Sequence, residues 1–309
     1  MTEPAPPALR RKLTLGDVTI AVVTGAIFLG ALAVRSRLVF AIVVVAAIFV
    51  PMERIFALRS QRVFRARWRT DLVHFVVNNL LTTGLLVVVV VTIGASLRAA
   101  VPGSLRGAVA GQSLGLQFAE AFLIAELCGY WAHRATHRVP ILWRFHRVHH
   151  SIEEMDWLAA GRLHPIDQAF SRSCIVLPLV ALGFTKSTFG AFLVFLTFQA
   201  LFIHANVRFR LGPLRWLITT PEFHHWHHSG DPAAYNSNFA GEFPVLDLIF
   251  GTLHLPSGNM PDKYGIEESA PNGYLAQLLW PLRRSVASVG ATALAASTNP
   301  VVGATADLT

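Results

Sequence analysis

Charge is nearly absent from five long tracts of this chain, and the tracts have the length of helices. Residues 18–34, 38–52, 72–97 and 114–131 are largely apolar, and residues 173–205 carry one charge, Lys186. A helix needs about 20 residues to cross the hydrocarbon of a bilayer, so these tracts predict membrane helices rather than the core of a soluble domain. Arg35, Ser36 and Arg37 separate the first two, which predicts a tight helical hairpin. Residues 98–111 form a loop bearing Gly and Pro. The last tract is too long for one crossing and short for two, so it predicts a helical hairpin that bends near residues 183–190, penetrates the bilayer and returns His204 to the side it left. The expected fold is therefore an all-α, polytopic membrane bundle, to which the histidine windows and flanking arginines add a histidine-rich metal cap on the cytoplasmic side. It divides into a tail (1–12), an N-terminal membrane hairpin with a basic segment (13–71), the main domain (72–284) and a second tail (285–309). No repeat is visible.

Composition agrees. Of the 309 residues, 53% are apolar and 14% charged, where soluble chains carry roughly 25% charged residues, and the mean hydropathy is +0.49. A secreted, disordered or disulfide-built protein is excluded. Cys128 and Cys174 both lie in apolar sequence and read as packing residues. The net charge of +8 comes from arginines that flank apolar tracts, which points to membrane orientation and not to nucleic acid. Six arginines lie between Arg54 and Arg69, and six between Arg134 and Arg172. The positive-inside rule puts both segments in the cytoplasm, and counting crossings from the first hairpin gives the same side for His133. In a bacterium the membrane would be the inner one. Arg10, Arg11 and Lys12 before an apolar run ending in Ala31-Leu32-Ala33 also resemble a cleaved signal peptide. Cleavage would remove the first crossing and leave the arginine argument intact.

The candidate chemistry lies in histidine. Nine of 13 histidines fall in two windows: His133, His137, His146, His149 and His150, then His224, His225, His227 and His228. Residues four apart on a helix share a face, so His133 and His137 pair, and the sets 146/149/150 and 224/227/228 each converge from one face. Neutral imidazole is a common metal ligand, and eight exceed the four of a tetrahedral zinc site, so two ions fit better than one. The pair at 133 and 137 lacks the glutamate of HExxH, which removes the base of a zinc protease, and no Glu-x-x-His motif of soluble di-iron bundles is present. Ligand type leaves iron, copper and zinc open.

The run from Tyr130 to Ser151 (YWAHRATHRVPILWRFHRVHHS) resembles the HxxxH and first HxxHH boxes of the fatty acid hydroxylase superfamily, also called the sterol desaturase family. RLHP at 162–165, FIHAN at 202–206, TPEFHHWHHS at 220–229, NSNF at 236–239 and FGT at 250–252 extend the resemblance over about residues 66–256. It implies a non-haem di-iron centre, O2 as co-substrate and a lipid C–H bond as target, of sterol, fatty acyl or isoprenoid type, with hydroxylation and desaturation both open. The implied ligands are His133, His137, His146, His149, His150, His224, His227 and His228, with His204 and then His164 as further candidates. The hairpin holds one histidine where some hydroxylases have two.

His225, at a variable position of its box, is expected to be exposed, and His74 and His254 to be ordinary polar residues. Glu126 shares a helical face with Tyr130, His133 and His137, where it would either accept a ring N–H from a ligand or contact Asn78 or Asn79. Glu120 lies on another face. Asp156, Asn206, Asn236, Asn238 and Asp247 resemble polar positions of the family and would support the ligands or the fold. The Phe- and Leu-rich hairpin would wall the lipid site, with Gly190 and Ala200 as examples of lining residues. The chain has neither CxxCH nor His-Pro-Gly-Gly, so electrons would come from a separate reductase, ferredoxin or cytochrome. A histidine-rich metal transporter is the rival reading, although its ligands should lie at mid-membrane. A zinc hydrolase is disfavoured by the missing base.

Overall fold

The computed structural model describes residues 37–283 except 210, 257 and 258, so the first expected crossing and both tails lie outside the described residues. Among the described residues ten helices follow one another: α1 (Arg37–Ile55), α2 (Trp68–Ala100), α3 (Gly103–Ala110), α4 (Leu114–Arg138), α5 (Pro140–His150), α6 (Pro165–Leu182), α7 (Lys186–His204), α8 (Pro221–His227), α9 (Val245–Ile249) and α10 (Tyr274–Leu279). No strand occurs among the described residues, only two isolated bridges, Ala57 with Val207 and Ser229 with Tyr264. The all-α expectation holds.

α2 reverses the pattern of a soluble helix. Its buried positions include Asp71, His74, Asn78 and Thr82, one stripe at steps of three and four, while Leu80, Leu81, Leu85, Val87, Val88 and Val91 point outward. An apolar exterior around a polar seam suits a lipid solvent, where polar groups must find partners inside the protein. Among the described residues α2 and α7 are long and apolar enough to cross a membrane; α3 and α4, bent by 117°, would make a third if they form one span. Glu120 and Glu126 dilute the apolar run of α4, which is why it falls short alone.

The predicted hairpin is present, with a different first arm. It begins at Pro165, eight residues before the apolar tract, because His164 caps it and proline at the first helical position needs no N–H partner. Gly183, at φ +88°, ends α6 in the left-handed region that glycine enters without strain. The second arm, α7, is itself long enough to cross. α6 packs along α4 and α2, with Gly94 of α2 allowing Leu177 and Val180 to approach. The short turn at Trp157–Gly161 packs under α2, where Gly161 meets Phe75 so closely that a Cβ there would lie 2.9 Å from the Phe75 side chain.

Candidate metal centre

Two groups of imidazoles meet where α4, α5, α7 and α8 end. His133, His137, His146, His150 and His227 form the first; His149, His204, His224 and His228 form the second, and within each group the candidate ligand atoms lie within 4.8 Å of one another. Eight box histidines and His204 are thus brought together from four helices. Val139-Pro140 turns the chain from α4 into α5, so that the 146/149/150 face of α5 meets the 133/137 face of α4. Thr220 caps α8 and sets the second box facing both.

The outer ring nitrogens are tied down. His133 Nδ1 donates to the Phe239 carbonyl at 2.8 Å, His149 Nδ1 to that of Arg162 at 3.1 Å, His227 Nδ1 to that of Ser237 at 2.8 Å and His204 Nδ1 to that of Ala200 at 2.7 Å. His146 Nδ1 donates to the Asp167 carboxylate at 3.0 Å, with both side chains buried. A neutral ring that donates from Nδ1 has only a lone pair left at Nε2. Burial and the neighbouring imidazoles hold His149, His150, His224, His227 and His228 well below the ordinary histidine range, so these rings are neutral.

The inner nitrogens therefore confront one another. His204 Nε2 lies 3.2 Å from His149 Nε2 and 3.0 Å from His224 Nε2, which lies 3.1 Å from His228 Nε2. Because His149 and His204 have both given their protons outward, their contact is lone pair against lone pair. Nε2 of His137, His146, His150 and His227 is buried without a partner among the described residues. Buried polar atoms are rarely left so. One cation within each group would satisfy all of them, and the donor set fits the imidazole preference of iron, zinc, copper or nickel. The edges of His137 are shielded by Trp143 and Phe239, whose rings lie 5.2 and 5.1 Å away.

A second layer holds these partners. Asp247 accepts from the Phe239 and Ala240 amides at 2.8 Å each and from Thr252, which contacts the Tyr130 hydroxyl, so it positions His133 through the Phe239 carbonyl. Asn238 clamps the carbonyls of Phe223 and His254, behind the second box. Arg65, Asp71, Asp156 and Arg162 form a buried ion-pair network in which Arg65 meets both carboxylates at 2.6 Å. It fixes Arg162, whose carbonyl orients His149.

Three expectations change. His164 stands outside both groups: its Nδ1 accepts from the Ile166 amide as a helix cap and its Nε2 meets the Leu278 carbonyl, so neither nitrogen is free for a metal. His225 is buried, 2.8 Å from the Tyr264 hydroxyl, because α8 is sandwiched rather than lying on a surface. Glu126 contacts neither a ligand ring nor Asn78; it accepts the Glu242 and Phe243 amides, at 3.2 and 2.9 Å, and pins the segment leading to Asp247. Asn206 pairs with the Arg59 backbone through both ends of its amide and so ties the basic segment to the end of α7. His74 and His254 lie outside both groups. Sequence reasoning missed Asp167, whose signal was an acid at the start of an apolar run, two residues after the His-Pro step.

Residues 118–252, which contain all nine clustered histidines, match the family model described as fatty acid hydroxylase. An ornithine lipid hydroxylase of Rhizobium tropici is 36% identical over 171 residues, 55% of this chain and 52% of the relative. The alkylglycerol monooxygenase of Homo sapiens is 35% identical over 133 residues, 43% of this chain and 29% of the relative. A very-long-chain aldehyde decarbonylase of Oryza sativa is 32% identical over 164 residues, 48% and 26% of the two chains. The chain thus spans about half the length of the first relative and less than a third of the others. No solved structure matches.

Proposed function

Since the chain belongs, through its domain at residues 118–252, to the fatty acid hydroxylase superfamily, we propose that it is a membrane enzyme that uses two iron ions and O2 to hydroxylate a lipid C–H bond. The observation that carries this reading is the pair of inward-facing imidazole groups: in the five-histidine group Nε2 of His137, His146, His150 and His227 is buried without a partner among the described residues, and in the four-histidine group Nε2 of His149 and His204 oppose lone pairs at 3.2 Å. Iron bound there supplies, with O2, an oxidant that no side chain provides. Hydroxylation is preferred to desaturation because the matched relatives include a hydroxylase and monooxygenases.

The protein's own share is positioning. The Phe239, Ser237 and Arg162 carbonyls and the Asp167 carboxylate fix which nitrogen each ring presents, and Trp143 and Phe239 keep water from the edge of the first group. The substrate is a largely apolar lipid of acyl, sterol or isoprenoid skeleton, entering from the bilayer along α4, α6 and α7. On α7 the inward stripe is Phe192, Leu196, Gln199 and Ile203, at steps of four, three and four; Gly190 and Ala200 face outward, so they are not the lining residues the sequence suggested. The histidine groups and the Arg54–Arg69 segment lie on the cytoplasmic side, where a separate reductase, ferredoxin or cytochrome delivers electrons.

Purified protein expressed with ample iron tests the reading. It predicts close to two irons per chain and an oxygenated lipid product that requires O2, both lost in His149→Ala or His227→Ala. Stable binding of one zinc with undiminished turnover would refute it, as would vectorial metal transport in vesicles without oxidation of any lipid.

A further inference from the structure

Among the described residues, one partly buried cation has no partner. Arg172 lies on α6, partly buried, and no described residue hydrogen-bonds to it or forms an ion pair with it. Its neighbours one and two turns away on the same helical face, Pro165, Ala169, Val176 and Leu179, are all buried, whereas the lipid-facing side of α6 is marked by Ile166, 49% exposed. Arg172 therefore turns inward. Its height follows from α2: Gln168 hydrogen-bonds to Thr82 at 2.7 Å, and Leu177 and Val180 meet Gly94, so Arg172 falls between these levels, along the middle of that span. The polar stripe of α2 is matched along its length, Asp71 by Arg65 and Arg162, His74 by the Leu163 carbonyl and Gln277, Asn78 by Leu163 and Tyr274, and Thr82 by Gln168 of α6. Arg172, one turn further along α6, has no match, because the α2 positions that continue the stripe beyond Thr82, Leu86 and Val89, are apolar.

An unpaired charge at this depth is costly, and such residues mark substrate or ion pathways. Arg172 also follows Asp167, which holds His146, by five residues, or about 7.5 Å along the helix axis. A guanidinium presents a planar fork that fits a carboxylate or phosphate through two parallel hydrogen bonds. We propose that Arg172 binds an anionic oxygen group of the lipid substrate, carboxylate or phosphate, and so sets which carbon reaches the metal groups. This rests on the lipid-oxidising reading given above. It adds that the substrate carries its negative charge inside the bundle, and that the oxidised carbon lies within a short chain of that charge rather than at the far end of an acyl tail.

Binding is the test, because it needs no turnover. Full-length protein in nanodiscs of neutral lipid is titrated with N-oleoylglycine, its methyl ester and oleoyl lysophosphatidic acid, with iron content measured in parallel. The intact protein should bind at least one of the two anions about 10-fold or more tighter than the ester, and which one identifies the headgroup chemistry. Arg172→Gln should erase that preference with iron content unchanged, and Arg172→Lys should restore part of it. Equal affinity of the parent for anion and ester overturns the proposal, as does an Arg172→Gln protein that keeps the preference. If Arg172→Gln fails to fold, the parent's preference and the intermediate behaviour of Arg172→Lys still decide. Anion-selective binding without any oxygenated product would sink the oxygenase reading alone, and oxidation of neutral lipids without anion selectivity would sink this one alone.

Discussion

Asp167→Asn offers the sharpest perturbation of the site, because it removes one charge and no volume. Asp167 Oδ2 accepts from His146 Nδ1 at 3.0 Å in a setting where both side chains are buried. This carboxylate selects the ring form with its lone pair at Nε2 and makes that nitrogen more basic. Loss of such a partner lowers metal affinity by about 10- to 100-fold, or roughly 1.4–2.8 kcal/mol. The effect is confined by geometry, since His146 belongs to the five-histidine group and His149, His204, His224 and His228 are oriented independently of Asp167. Chelator titration of the iron-loaded variant should become biphasic, with one iron leaving early and the other retained as in the parent. Asp167 also lies in the first turn of α6, where a negative charge contributes about 0.3–1 kcal/mol. The melting temperature of the metal-free variant isolates that smaller loss. A titration in which both irons keep the parent affinity, or both weaken equally, would refute the division into two groups and the role given to the carboxylate.

His204→Ala should release the iron of the four-histidine group, whereas His164→Ala should keep both irons and show only the lower melting temperature of a lost helix cap; metal analysis separates them. Cysteines at Ser60 and Glu153, both exposed, should resist an impermeant thiol reagent in intact cells and react after lysis, and labelling of either in intact cells would reverse the assigned orientation. Leu196→Trp on the inward stripe of α7 should abolish lipid turnover while iron content holds, and Gly190→Leu, which meets nothing within 4 Å, should leave both unchanged. Gly161→Ala should cost about 1–3 kcal/mol in thermal or denaturant unfolding, the usual penalty of overpacking, because Phe75 backbone as well as side chain stands in the way.

Local periodicity made much of this legible in advance. The 146/149/150 and 224/227/228 spacings define single helical faces whatever the fold, whereas His204 is a candidate only through the family resemblance. What escaped was set by contacts between distant segments. His164 sits in a His-Pro step that suits a ligand and a helix cap equally; only the Leu278 carbonyl, 114 residues away, decides for the cap. Glu126 shares the ligand face of α4, yet the loop at Glu242 and Phe243 reaches it first. His225 looked free because the sequence carries no sign that Tyr264 covers it. The first arm of the hairpin was placed late because Asp167 and Arg172 interrupt its apolar run, and both are charges that the structure places inside the bundle.

The opposed lone pairs have a bearing on how the protein endures in a cell. Without metal, the junction of four helices holds nine imidazoles whose inner nitrogens attract one another poorly. The bundle is then weakest where its cap must close. An ion bound in each group would tie segments up to about a hundred residues apart in the chain, in the manner of a reversible cross-link, and ligand binding to the native state alone adds roughly 2.7 kcal/mol at a free concentration 100 times the dissociation constant. Iron supply would thereby govern the lifetime of the polypeptide as well as its turnover: copies made during scarcity open locally at the cap and are exposed to membrane proteases, while loaded copies persist. Abundance would follow the metal without any dedicated sensor.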